Sequence, residues 1–142
     1  MQKVSYGQLN ARQKESYNFQ KVSAVLADYG FTTLRLSDDW QGADFIAQHA
    51  NGVTFLKIQM KGRAYFDKKY EGKGIYICFR DEAHWYLYPH DEILAPVLKI
   101  ANIERTYSDL GYYSFPKLTA RLRELFGPFH LESSGLAKLL IS

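Results

Sequence analysis

Apolar residues recur at helical spacing first near the start of the chain. Phe19, Val22, Leu26 and Tyr29 form one stripe, with Val25 beside them, which predicts a helix over 10–29. Asn10 is placed to cap it, and Gln13 stands three residues later, the spacing of a capping box. Gly30 suits the C-terminal stop. The pattern then shortens. "FTTLRL" reads as a strand and "SDDWQG" as a turn-rich connection. "ADFIAQHA" and "VTFLKIQMKG" alternate like paired strands around Asn51-Gly52, the strongest short hairpin signal. "AYFDKKYEGKG" is polar and basic and reads as a loop; "IYICFR" and "WYLYP" read as two more strands. "HDEILAPVLKIA" predicts a short helix interrupted at Pro96, and "FPKLTARLRELFG" an amphipathic helix with Leu118, Leu122, Leu125 and Phe126 on one side. "SGLAKLLIS" predicts a small terminal helix. A helix, then strands, then helices implies an α/β layer structure. With no repeat or long linker, 1–142 is expected to be one domain, with a core over about 10–89 and a helical part over about 90–142.

The central hairpin carries chemistry on one face. With Asn51-Gly52 as a two-residue turn, Ala50 pairs with Val53, and counting back puts Asp44 across from Gln59. Lys61 shares that face, because side chains two residues apart in a strand point the same way. Gly42, opposite Lys61, leaves the space open. The other face carries Ala43, Phe45, Ala47, Leu56, Ile58 and Met60 and belongs to the core. Glu15 falls in line with Phe19, Val22 and Leu26 on the helix stripe. A carboxylate there needs a partner, either Lys61 or a metal, unless it points to water near the helix start.

Mg²⁺ takes oxygen ligands, commonly one or two carboxylates plus waters and a substrate phosphate. Asp44 offers a carboxylate, Gln59 an amide oxygen and Met60 its backbone carbonyl. Lys61 can orient a water or stabilise charge on a phosphate. Such a set suffices to hydrolyse a phosphodiester. The competing reading of the polar face is a salt-bridge network of Glu15, Asp44, Lys57 and Lys61.

"GADFIA", a hairpin and then "IQMKG" resembles the PD-(D/E)xK nuclease superfamily, which includes restriction endonucleases and Holliday-junction resolvases. Asp44 matches the first half-motif, and Gln59-Met60-Lys61 the second in its glutamine form. The helix bearing Glu15 fits too. The resemblance spans about 10–89. It implies a restriction endonuclease-like α/β core, a central mixed sheet of four to five strands flanked by helices, with Mg²⁺ or Mn²⁺ as cofactor. It implies Asp44, Gln59, Lys61 and Glu15 as catalytic residues, with Asp44, Gln59, Met60 and Glu15 at the metal. The expected activity is an endonuclease acting on DNA, as a homodimer where both strands are cut. Gln59 removes one negative charge from the site relative to the commoner Glu or Asp. That keeps a second reading open: a nuclease-like domain that binds nucleic acid or a protein without cutting.

Charge extends the picture modestly. The net charge of +3 and pI near 8.9 permit an anionic partner without requiring one. Arg63, Lys68, Lys69 and Lys73 follow the motif strand and are expected to grip phosphates, with Tyr65, Phe66 and Tyr70 interleaved for base stacking. The lone Cys78 excludes an internal disulfide and reads as core. No apolar run approaches the roughly 20 residues of a membrane span, and no secretory apolar segment follows Met1, so a soluble cytoplasmic protein is expected. No GxxxxGK[ST] loop is present, which argues against a nucleotide cofactor.

Overall fold

The computed structural model describes residues 1–131. The helix expected in "SGLAKLLIS" lies outside the described residues. Helix α1 (Ala11–Ala27) begins as the sequence predicts. Gln13 N–H donates to Asn10 Oδ1 and Asn10 N–H to Gln13 Oε1, both at 2.9 Å, closing the capping box. Gly30, at φ +87°, turns the chain into β1 (Phe31–Trp40). That strand is longer than expected and takes in the Asp38-Asp39 segment.

β1 pairs antiparallel with β2 (Ala43–His49), with an irregularity between Arg35 and Trp40. The tight hairpin turn is at Gln41-Gly42, where both residues have positive φ (53° and 90°). Two left-handed residues match the right-handed twist of the flanking strands. The expected Asn51-Gly52 turn takes another form. Ala50 N–H donates to Gly30 O at 2.9 Å instead of pairing with Val53. Asn51 Oδ1 accepts from both Val53 N–H and Thr54 N–H at 2.9 Å, and its Nδ2 donates to Thr54 Oγ1 at 2.8 Å. The loop is therefore wider, held by an asparagine side chain. The register of β2 with β3 (Phe55–Lys61) is nevertheless the expected one: Gln48 faces Phe55, Ala47 faces Leu56 and Phe45 faces Ile58.

β3 runs parallel to β5 (Ile75–Asp81), which pairs antiparallel with β6 (His84–Pro89). The sheet is thus mixed and five-stranded, in the order β1-β2-β3-β5-β6. Parallel neighbours need a long crossover. Here it contains β4 (Ala64–Asp67) and a 3-10 turn (Lys68–Tyr70), where the sequence suggested a loop. β4 pairs with β7 (Tyr112–Phe115). Helices α2 (His90–Ile100), α3 (Glu104–Leu110) and α4 (Ala120–Phe126) follow among the described residues, and α2 continues through Pro96. The C-terminal part is therefore not helical throughout. Its strand β7 and helix α3 have too few residues to show a period.

Two cores sandwich the sheet. On one face α1 places Val22 and Leu26 against Phe45, Ala47, Leu56, Ile58, Cys78 and Leu87. On the other, Ile93, Val97, Leu122 and Phe126 pack on Ile77, Phe79 and Tyr88, together with Phe66 from β4. Fully enclosed, Cys78 has its thiol pushed up by burial and is a core residue. The expected α/β architecture, a central mixed sheet flanked by helices, is the one observed.

Two glycines separate turn geometry from crowding. Gly42→Ala would meet positive φ and the Tyr70 ring at 3.1 Å, whereas Gly52, at φ +78°, has open space. Gly42→Ala should cost about 2–3 kcal/mol and Gly52→Ala about 1 kcal/mol, read from urea unfolding midpoints.

Candidate metal and catalytic site

The site lies where the β2–β3 ladder opens. Regular pairing ends at Phe45 with Ile58, one step short of Asp44 and Gln59. The next backbone donor, Met60 N–H, bonds the Asp44 carboxylate at 2.9 Å. A strand residue points its N–H and C=O toward the same neighbouring strand. The Met60 carbonyl therefore faces the same opening as its N–H. Gln59 Oε1 is buried there without a hydrogen-bond partner. An orphaned buried acceptor costs about 1–3 kcal/mol. Burial raises the Asp44 carboxyl above its ordinary 3.8; the Met60 N–H and Lys61 oppose this, and Asp39 and Glu15 add to it.

These residues fit a small hard cation. Asp44, the Gln59 amide oxygen and the Met60 carbonyl are all oxygen donors, and a cation would satisfy the orphan. The described residues contain no group of three His, Cys, Asp or Glu side chains arranged to hold a metal. The charge supplied by protein therefore comes chiefly from Asp44, with neutral oxygens beside it.

Lys61 shares the face, as the register requires. Its Nζ lies 4.3 Å from the Tyr65 ring centroid and 5.8 Å from that of Tyr70. Burial lowers its pKa from 10.5; Lys69 adds to the shift, and Asp44, Asp67 and Asp39 oppose it. The ammonium sits in an aromatic niche, while Lys57 bonds Gln41 Oε1 at 3.2 Å and Glu15 pairs with Arg35 at 3.9 Å. The four residues proposed for a salt-bridge network thus have other partners.

Glu15 departs from expectation. Its side chain is 73% exposed and it does not belong to the buried stripe. The stripe of α1 meets the sheet from Phe19 onward, and Glu15 lies one turn earlier, beyond the packed surface. It still lines the cleft that holds Asp44, Gln59, Met60 and Lys61, a space of about 920 Å³. Arg35, Asp38 and Asp39 line it as well. Asp39 acts on both Asp44 and Lys61 through its charge, a role that the reading of Asp38-Asp39 as a turn had hidden.

The basic and aromatic residues after β3 are mostly committed elsewhere. Lys68 Nζ donates to Ser108 O at 2.7 Å, and Lys69 Nζ lies 4.0 Å from Asp67. Arg63 and Lys73 are exposed. Phe66 is fully buried and Tyr70 nearly so, which rules out base stacking by either. Their burial comes from distant segments: Phe66 packs on Phe115 of β7, Tyr88 and Phe126, and Tyr70 on His90 and beside Gly42, none of which local sequence pattern brings together.

Over 49% of this chain and 74% of the other, the structure is similar to the 1.6 Å structure of Hjc, a Holliday junction resolvase from the archaeal hyperthermophile Archaeoglobus fulgidus. The two share 20% sequence identity, with a TM-score of 0.38. No family model and no curated protein matches the chain.

The orphan gives a direct stability test. Gln59→Met keeps the side-chain length and removes the unpaired oxygen. Without metal, it should raise stability by about 1 kcal/mol, read from chemical denaturation. In wild type, millimolar Mg²⁺ or Mn²⁺ should raise Tm through ligand linkage. That rise should vanish in Gln59→Met and in Asp44→Ala.

Proposed function

We propose that this chain is a metal-dependent endonuclease of the PD-(D/E)xK type, hydrolysing DNA phosphodiester bonds in restriction, repair or recombination. The observation that carries this reading is the buried, unpartnered Gln59 oxygen beside Asp44 at the open end of the β2–β3 ladder. A purely structural site would leave this acceptor unsatisfied.

Asp44, Gln59 and the Met60 carbonyl would hold Mg²⁺ or Mn²⁺. When bound, the ion supplies Lewis-acid polarisation of a phosphoryl oxygen and a more acidic water. Met60 N–H fixes the Asp44 carboxylate, so one of its oxygens is oriented before substrate arrives. Lys61, held over Tyr65, stabilises negative charge that develops on the phosphate. Glu15 adds negative charge across the cleft. Exposed Arg63 and Lys73 supply phosphate contacts outside it, while Lys68 and Lys69 would have to leave Ser108 and Asp67 to do so. Cutting both strands calls for two such sites, which a homodimer supplies.

The alternative is a nuclease-like domain that binds nucleic acid or a protein without cutting. Its support is the glutamine, which leaves the site one charge short.

Plasmid, linear, single-stranded and branched DNA incubated with Mg²⁺ or Mn²⁺ decides between them. The wild type should cut at least one substrate, with activity down about 10²-fold or more in Asp44→Ala and Lys61→Ala. No cutting of any substrate by folded wild type would favour the binding domain.

The pH profile carries a sign. Asp44 holds a cation only when ionised, so metal affinity should weaken as pH falls, from a point above the ordinary aspartate value of 3.8. Lys61 stabilises charge only when protonated. Activity should therefore fall on the alkaline side below the ordinary lysine value of 10.5. Initial rates at subsaturating metal across pH measure both limbs.

A further inference from the structure

At about 920 Å³ the cleft is larger than one metal ion and one phosphate require, and Tyr6, Tyr17, Phe19 and Trp85 are among the residues that line it. Tyr6 belongs to a 3-10 turn (Tyr6–Gln8) that precedes α1, and the residue is 41% exposed. Its ring lies 5.2 Å from that of Tyr17, centroid to centroid, with the planes at 56°. The Tyr6 hydroxyl accepts a hydrogen bond from Asn18 Nδ2 at 3.0 Å, which fixes the ring against the helix. Lys14 Nζ lies 5.3 Å from the Tyr6 centroid, and Lys21 Nζ lies 5.3 Å from the Tyr17 centroid. Both rings line the cleft that contains Asp44 and Lys61. Neither belongs to the two packed cores.

The Tyr6 ring is thus partly exposed and held in place outside both packed cores, with a cation over it. It suits a nucleobase, whose π face stacks on the ring while the lysine moves to the adjoining phosphate. Arg80 also lines the cleft; it lies over Trp85 at 5.7 Å and donates from Nε to Glu82 O at 2.7 Å, which restrains its guanidinium. Bases inside a duplex are already stacked on one another and offer no free face.

We propose that Tyr6 and Tyr17, with Lys14 and Lys21, form a stacking platform for unpaired bases of a nucleic-acid strand whose backbone enters the cleft toward Asp44. The nuclease reading supplies only the assumption that the cleft admits nucleic acid. The platform narrows the substrate class to strands with unpaired bases, such as single strands, tails or branches.

The test is fluorescence anisotropy of labelled single-stranded and blunt duplex oligonucleotides with the full chain in EDTA, where metal-dependent cleavage is off. Wild type should bind the single strand more tightly than the duplex. Tyr6→Ala should weaken single-strand binding about tenfold, and Tyr6→Phe, which keeps the ring, by less than about twofold. Duplex binding should be equal in all three. Lys14→Gln should lower the salt dependence of single-strand binding by about one unit of log–log slope. The platform is overturned if wild type shows no preference for the single strand, or if Tyr6→Ala binds it as wild type does. It is equally overturned if Tyr6→Phe loses as much as Tyr6→Ala, or if duplex binding falls in parallel. Cleavage is scored separately. A chain that cuts DNA yet binds unpaired strands independently of Tyr6 overturns the platform alone. Ring-dependent binding by a chain that cuts nothing supports the platform and rejects the nuclease.

Discussion

The bond from Met60 N–H to the Asp44 carboxylate is the constraint on which the site depends. Along most of β2 and β3 the backbone groups satisfy one another. Past Phe45 and Ile58 the ladder stops, and a side chain takes over as acceptor. This substitution does two things. It satisfies the exposed donor of β3, so the strand can continue to Lys61 without a partner on that side. It also holds a carboxylate in a place where burial disfavours its charge. The Gln59 oxygen, left unpaired in the same gap, makes the opening costly unless something fills it.

The surrounding fold keeps that gap open. Gly42 turns β1 into β2 with positive φ and passes close to the Tyr70 ring, so the chain leaves the sheet sharply beside the site. Tyr70 and Tyr65, fixed by the crossover between two parallel strands, form the niche for Lys61. The tyrosines are themselves tied down. Tyr88 Oη donates to Tyr65 O at 2.6 Å and accepts from Tyr65 N–H at 3.0 Å, while Tyr65 Oη donates to Asp67 at 2.7 Å. Burial and Asp67 push the Tyr65 hydroxyl up to about 12, so the ring stays neutral through ordinary pH. The aromatic richness of the chain serves this second core, which positions the lysine.

The buried histidine has a similar supporting part. His90 is fully enclosed; its Nε2 accepts from Asp67 N–H at 3.0 Å and its Nδ1 lies 2.9 Å from Asp91 Oδ1. It joins β4 and the 3-10 turn to the start of α2. Asp91 also accepts from Gly72 N–H at 2.8 Å, which closes the end of the crossover. These bonds fix the segment between β3 and β5.

Local sequence was enough for α1 and its capping box, because Asn10, Gln13 and the apolar stripe act within a few residues of one another. It was also enough for the β2–β3 register, since the loop is still centred on Asn51-Gly52 and a one-residue slip would turn Phe45, Leu56 and Ile58 away from the core. That register puts Asp44, Gln59 and Lys61 on one face even though the Asn51 loop differs in form from the expected turn. Glu15 was misplaced because helical phase gives direction but not where packing begins; its stripe reaches the sheet only from Phe19. Phe66 and Tyr70 looked available for stacking because the segments that bury them are far apart in sequence: Tyr88, His90, Phe115 and Phe126 enclose Phe66, and Gly42 and His90 pack on Tyr70. The chain thus determined by itself what depends on neighbours and period. Tertiary structure decided what depends on distant segments meeting: the opening of the ladder, the niche of Lys61 and the cleft shared by Tyr6, Arg80 and Asp44.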